Sequence, residues 1–96
     1  MAEFKAIVMK ASDNVATVVD TIDPDTDAIL EIEGKRVIVR VVERIPFGHK
    51  FAVRDIGKGE LVLKYGEPIG VATQDIRRGT HVHVHNVESS RGRGDR

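Results

Sequence analysis

Three of the four histidines in this chain fall on alternate residues, in the run Gly79-Thr80-His81-Val82-His83-Val84-His85-Asn86. Successive side chains of an extended strand point to opposite faces, so a strand here puts His81, His83 and His85 on one face and Val82 and Val84 on the other. Imidazoles two residues apart stand roughly 6.5–7 Å apart at Cα, close enough for two rings to converge on one metal ion or one bound oxyanion. The same spacing also describes a half-buried strand whose wet side needs polar residues, where histidine serves without any chemistry. Spacing leaves both readings open.

Two further clusters carry reactive groups. In Phe47-Gly48-His49-Lys50-Phe51 a glycine turn delivers an imidazole and an ammonium side by side. Both can bind a carboxylate, and either can act as an acid or base once desolvated. If Lys50 begins a strand, His49 and Lys50 point to opposite faces unless the turn rotates them. The alternative is a polar turn between two buried phenylalanines. In Leu63-Lys64-Tyr65-Gly66-Glu67-Pro68-Ile69-Gly70 the single tyrosine lies among glycines whose amides could form an anion nest, or could simply close a tight connection between strands.

The elements that must position these groups are strands. The 96 residues fit one domain, which at this size buries somewhat over ~60% of its unfolded surface. Short Val- and Ile-rich runs separated by Asp, Gly and Pro predict strands at Lys5–Met9, Val15–Thr21, Ala28–Ile32, Arg36–Val42, Lys50–Val53, Glu60–Lys64, Pro68–Ala72 and Thr80–His85, with little helix. Asp23-Pro24-Asp25 presets a turn, and Glu33-Gly34-Lys35 reads as a hairpin tip with glycine at positive φ. Asp55-Ile56-Gly57-Lys58-Gly59-Glu60 recurs as Asp75-Ile76-Arg77-Arg78-Gly79-Thr80, with a weaker copy in Ile45-Pro46-Phe47-Gly48-His49. Each copy predicts a buried Ile, a glycine-permitted reversal and then an extended segment. Residues 1–87 read as the folded domain and 88–96, without an apolar residue, as a flexible tail. Its Arg-Gly-Arg-Gly stretch can contact RNA phosphates, but composition favours a linker or docking tail.

Composition removes several function classes. Fifteen Lys plus Arg balance fifteen Asp plus Glu, so no net field draws the chain to nucleic acid or to an anionic membrane. Without cysteine there is no disulfide, thiolate metal site or Cys nucleophile, which leaves nitrogen and oxygen as the strong metal ligands. Phosphate loops, dinucleotide fingerprints and hydrolase motifs are missing. The amino terminus lacks a secretory signal and no run approaches a membrane span, so the expected location is cytoplasmic.

Gly48-His49-Lys50-Phe51-Ala52, Asp55-Ile56, Lys64-Tyr65-Gly66, Ile69-Gly70, Ile76, Gly79 and His81-Val82-His83-Val84-His85-Asn86 together resemble the small SAF-type domain of the altronate/galactarate dehydratase family, which also includes the alpha subunit of sulfolactate sulfo-lyase. The likeness runs from Asp13-Asn14-Val15-Ala16 to Asn86. It implies an all-β β-clip fold of short strands. It also implies a small, non-autonomous subunit of a carbon–oxygen lyase, contributing substrate-binding or gating residues to a site shared with a large catalytic subunit. Such enzymes dehydrate sugar acids to 2-keto-3-deoxy acids, commonly with a divalent metal, Fe2+ or Mn2+, held mainly by the large subunit. The sulfo-lyase branch instead expels sulfite.

The resemblance marks His83 and His85 as catalytic, His49, Lys50, Lys64, Tyr65 and Asn86 as substrate contacts, and His81, His83 and His85 as metal ligands. Dehydration beside a carboxylate needs a base for the α proton, stabilisation of the enediolate and assistance to the leaving hydroxyl, and a histidine row fits part of that requirement. The expected partners are the large subunit and a sugar acid, with no nucleic acid or membrane. A free-standing module that binds sugar acids or other small anions, or a sulfolactate sulfo-lyase alpha subunit, are the alternatives, since the fold by itself does not make an enzyme.

Overall fold

A computed structural model describes residues 6–7 and 11–89. Among the described residues nine strands follow one another: β1 (Ala6–Ile7), β2 (Val15–Val18), β3 (Thr26–Ile32), β4 (Lys35–Val41), β5 (Lys50–Ala52), β6 (Leu61–Lys64), β7 (Glu67–Ala72), β8 (His81–Val82) and β9 (Val87–Ser89). No described residue is helical, and no helix is long and apolar enough to cross a membrane. The all-β fold expected from the sequence is the one observed.

The strands form an antiparallel sheet in the order β1-β2-β5-β8, a β3–β4 hairpin and a three-stranded sheet β6-β7-β9. The first sheet is apolar on both faces because it divides two cores. Ala16, Val18 and Phe51 join Leu30, Val39, Val41 and Ile45 on the hairpin side. Val15, Ala52 and Val82 join Ile56, Val62, Ala72 and Ile76 on the other. Neighbouring residues of β2 and β5 thus enter different cores, as strand alternation requires.

The repeated Ile-to-Gly element is the joint that folds these sheets onto one another. Ile22 bridges Ile45, and Ile56 bridges Ile76. All four are buried, with backbone bonds made in both directions across each pair. Three residues after each Ile the chain turns through positive φ, at Asp25 (62°), Gly48 (84°), Gly59 (89°) and Gly79 (87°). The copy at Ile22 is hidden in the sequence because aspartate replaces glycine. The residue before one Ile caps the turn after the other: Arg78 N–H donates to Asp55 Oδ1, Lys58 N–H to Asp75 Oδ1, both at 2.9 Å, and Phe47 N–H to Thr21 Oγ1 at 3.1 Å. The fourth equivalent position is Pro24, which has no N–H to cap.

Each strand expected from the sequence overlaps an observed one, and the β3–β4 tip turns at Glu33 (φ 50°) and Gly34 (φ 82°) as a two-residue hairpin loop. Two expectations need correction. Thr80–His85 is not one strand: β8 stops at Val82, and residues 83–86 form a bend and turn. Glu88 and Ser89, placed in the tail, belong to β9 and pair with Val71 and Gly70. The rest of that tail and most of Lys5–Met9 lie outside the described residues.

Candidate functional site

The histidines do come together, by a route other than strand alternation. β5 and β8 run antiparallel with Phe51 opposite His81 and Lys50 opposite Val82. His49 closes the Pro46–His49 turn just before β5, its N–H donating to the Pro46 carbonyl at 2.9 Å, which sets its ring beside the start of β8. After Val82 the chain reverses. Asn86 holds that reversal from within: its Oδ1 accepts from His83 N–H and its Nδ2 donates to the His81 carbonyl, both at 2.9 Å. With 3% of its surface exposed, its amide is committed to the backbone that presents the imidazoles.

The result is a stack. His49 and His83 lie 4.0 Å apart between ring centroids and 12° from parallel, His49 and His81 5.0 Å and 17°. His85 leans on His81 at 5.2 Å with a 35° tilt. His49 Nδ1 and His81 Nε2 are 2.8 Å apart, so one ring donates a proton to the other. Glu43 Oε2 accepts from His81 N–H at 3.1 Å.

Desolvation pushes the His81 imidazole below its ordinary value, aided by the charges of His49, His85 and His83 and opposed by Glu43. His83 is lowered by desolvation, then by His49, Lys50 and His85. Both shifts favour neutral rings near neutral pH, able to accept a proton.

His49, His81 and His83 offer three nitrogens within 4.8 Å of one another. Imidazole donors suit divalent transition ions, whose bonds of about 2.1 Å put ligand nitrogens about 3–3.5 Å apart. The donor set fits such an ion in kind. The expected group of His81, His83 and His85 is not the one assembled: His49 takes the third place and His85 stands beside it.

Lys50 and Lys64 open onto the other side of β5. A groove of about 220 Å³ is lined by Lys50, Val62, Ile69, Val82 and His83, among others. A wider one of about 630 Å³ runs on between Lys50, Lys64, Glu67, Pro68, Ile69 and Ser89. Burial lowers the Lys50 ammonium from its ordinary value, and the Lys64 charge adds to this. Lys64 Nζ lies 4.8 Å above the Tyr65 ring.

The anion nest anticipated at Tyr65-Gly66 exists but is filled by the protein itself. Asp13 Oδ2 accepts from Tyr65 N–H at 2.9 Å and Oδ1 from Gly66 N–H at 2.8 Å. Beside it, Asn14 acts as a short extra strand, accepting from Leu63 N–H at 2.8 Å and donating to the Leu61 carbonyl at 2.9 Å. Sequence reasoning gave neither residue a role. Their signal was two adjacent polar residues directly before the apolar Val15-Ala16 pair, and both are buried.

Comparison with known proteins places this arrangement. The chain is 46% identical over 67 residues to (2R)-sulfolactate sulfo-lyase subunit alpha of Chromohalobacter salexigens, an alignment covering 70% of this chain and 64% of that protein. It is 40% identical over 84 residues to altronate dehydratase of Escherichia coli, covering 88% of this chain and 16% of that enzyme. Galactarate dehydratase (L-threo-forming) of Escherichia coli is 41% identical over 44 residues, 46% of this chain and 8% of the enzyme. The chain therefore spans less than two thirds of the length of each of these relatives. Residues 4–90, which include the whole histidine stack and both lysines, match the altronate/galactarate dehydratase SAF domain, and the chain belongs to that family.

Proposed function

We propose that this domain serves a hydroxy-acid lyase, as a small subunit of an altronate-type dehydratase that completes an active site shared with a larger catalytic subunit. The observation that carries the reading is the convergence of His49, His81 and His83 beside the Lys50 groove. β-Elimination next to a carboxylate requires the acid to be bound and a proton moved at the adjacent carbon. The lysines bind the carboxylate. His83, exposed at the rim and stacked on His49, takes or returns the proton. The His49–His81 hydrogen bond behind it redistributes that charge. Asn86 is a positioning residue that fixes the turn carrying His83. A divalent ion, Fe2+ or Mn2+, held mainly by the larger subunit and approached by His49, His81 and His83, would polarise the departing hydroxyl.

The 46% identity to a sulfo-lyase alpha subunit favours a second reading in which the leaving group is sulfite. A tagged pull-down of the full chain, assayed with altronate, galactarate and sulfolactate, separates the two by product: a 2-keto-3-deoxy acid or free sulfite. In the assembled enzyme His83→Ala lowers turnover by about 10²–10⁴ if His83 moves the proton. Unchanged turnover in both His83→Ala and His85→Ala removes the catalytic part of this proposal.

A further inference from the structure

The β3–β4 hairpin turns one face to the core and the other to solvent, and the outer face carries a pattern that the histidine site does not use. On the inner face Ala28, Leu30, Val39 and Val41 are buried. Arg78 donates to the Ile38 carbonyl at 3.0 Å and to the Val53 carbonyl at 3.1 Å, which holds the hairpin against the body of the domain. Strand alternation puts Asp27, Ile29 and Glu31 of β3 on the outer face, with Arg36, Ile38 and Arg40 of β4. The register sets Asp27 opposite Arg40, Ile29 opposite Ile38 and Glu31 opposite Arg36. Along the same stretch β3 therefore reads acid, isoleucine, acid, and β4 reads base, isoleucine, base. Ile38 is 52% exposed and Val42, next along this face, 53%, so with Ile29 they form an apolar strip rather than scattered residues. Arg40 Nη1 lies 3.2 Å from Asp27 Oδ1 at its border, with both side chains more than half exposed.

We infer that this face is self-complementary and pairs two copies of the chain, sheet on sheet, about a two-fold axis parallel to the strands. Rotation about that axis lays β3 of one copy over β4 of the other, so Asp27 meets Arg40, Ile29 meets Ile38 and Glu31 meets Arg36 of the second copy. The other two-fold axis in the plane of the face, perpendicular to the strands, would set Asp27 against Glu31 and Arg36 against Arg40, an arrangement that like charges oppose. Charge thus selects one packing, and such an isologous contact closes at two copies. A single exposed ion pair contributes little, but the stacked faces build alternating clusters of four charges on either side of a centre of four isoleucines. Sheets packed this way lie about 10 Å apart with their strands within about 30°. Two seven-residue strands offer a face roughly 23 Å long and ~10 Å wide. That is small against the ~1,200–2,000 Å² of a stable dimer, so the association is weak, with a dissociation constant of about 0.1–1 mM. No histidine lies on this face, nor does Lys50 or Lys64, so the inference is independent of the lyase reading.

The test is sedimentation velocity of the full chain from about 0.02 to 1 mM, with amide NMR spectra over the same range. The weight-average mass should rise toward that of a dimer, and the amides that shift with concentration should be those of the outer face, from Asp27 to Glu31 and Arg36 to Arg40. Arg40→Asp places an acid against Asp27 of the second copy and should weaken association at least about tenfold. The double variant Asp27→Arg, Arg40→Asp restores the opposition of charges within and between copies, and should recover the parent affinity to within about threefold. Melting curves verify the fold of each variant, and where one does not fold the concentration-dependent shifts of the parent chain decide. A parent that stays monomeric at about 1 mM, shifts confined to another surface, an Arg40→Asp variant that associates like the parent, or a folded double variant that does not recover would each overturn pairing through this face.

Discussion

His49 Nδ1 and His81 Nε2 meet at 2.8 Å although 32 residues separate them in sequence. The contact joins the turn before β5 to the first residue of β8, and it can hold only one proton between the two nitrogens. A second proton would set two donors face to face and place like charges within one stack, next to His83 and His85. The pair is therefore a proton-sharing unit that ties the turn before β5 to the start of β8.

Long-range 1H–15N correlation spectra at about pH 7.5 should report one protonated and one bare nitrogen among His49 Nδ1 and His81 Nε2. His81→Ala should free His49 to exchange between tautomers and so average its two nitrogen shifts. Two bare nitrogens at this contact in the parent chain would mean that the rings stack without the hydrogen bond.

The lowered values of His81 and His83 fix the sign of an acid response. A group that binds its proton more weakly when folded gives stability above its unfolded value, here 6.5, and loses it as pH falls below that value. Melting temperature should thus drop between about pH 7.5 and about pH 5, and in His81→Gln the drop should be smaller by about 1–3 °C, a modest effect because the rings are partly solvated. An identical drop in parent and variant would show that the imidazoles do not drive it.

Asn86→Ala removes both side-chain bonds that hold the turn after β8 and strands two backbone partners, in a site with 3% exposure. The expected cost is about 1–3 kcal/mol, or roughly 4–15 °C in melting temperature for a domain this small. Asn86→Asp keeps the acceptor for His83 N–H but loses the donor to the His81 carbonyl, so it should fall between. A fully stable Asn86→Ala variant would mean that the turn closes without the amide.

Much of this was legible in the sequence, for a definite reason. Strand positions follow from local Val and Ile runs, and the reversals follow from glycine three residues after Ile, so both can be read from short windows. The histidine row departs from its spacing because a period of two predicts a strand only while the backbone stays in the ladder. Asn86 withdraws His83 from it by offering the main chain a competing partner, and no spacing rule weighs that competition. The entry of His49 into the stack depends on β5 pairing with β8, a long-range contact that no local pattern contains. Asp13 shows the same limit: it fills a nest formed 52 residues later at Tyr65.

The Ile-to-Gly joints make a last prediction about what holds the stack in place. Gly59 and Gly79 both turn at positive φ, 89° and 87°, yet their surroundings differ. A Cβ at Gly59 meets open space, whereas one at Gly79 runs into the Arg40 carbonyl of β4. Gly59→Ala should cost only the left-handed strain of an L residue, about 1–2 kcal/mol. Gly79→Ala carries the same strain and must also push β4 away, breaking the bond from Val42 N–H to the Gly79 carbonyl at 3.0 Å. Because Gly79 leads directly into Thr80 and His81, that displacement should reach the imidazoles. Paired melting curves and histidine ring spectra check this: Gly59→Ala should keep the His49–His81 signature at reduced stability, and Gly79→Ala should melt lower and lose it. Equal melting temperatures and unchanged ring spectra would show that the β4 contact does not position β8.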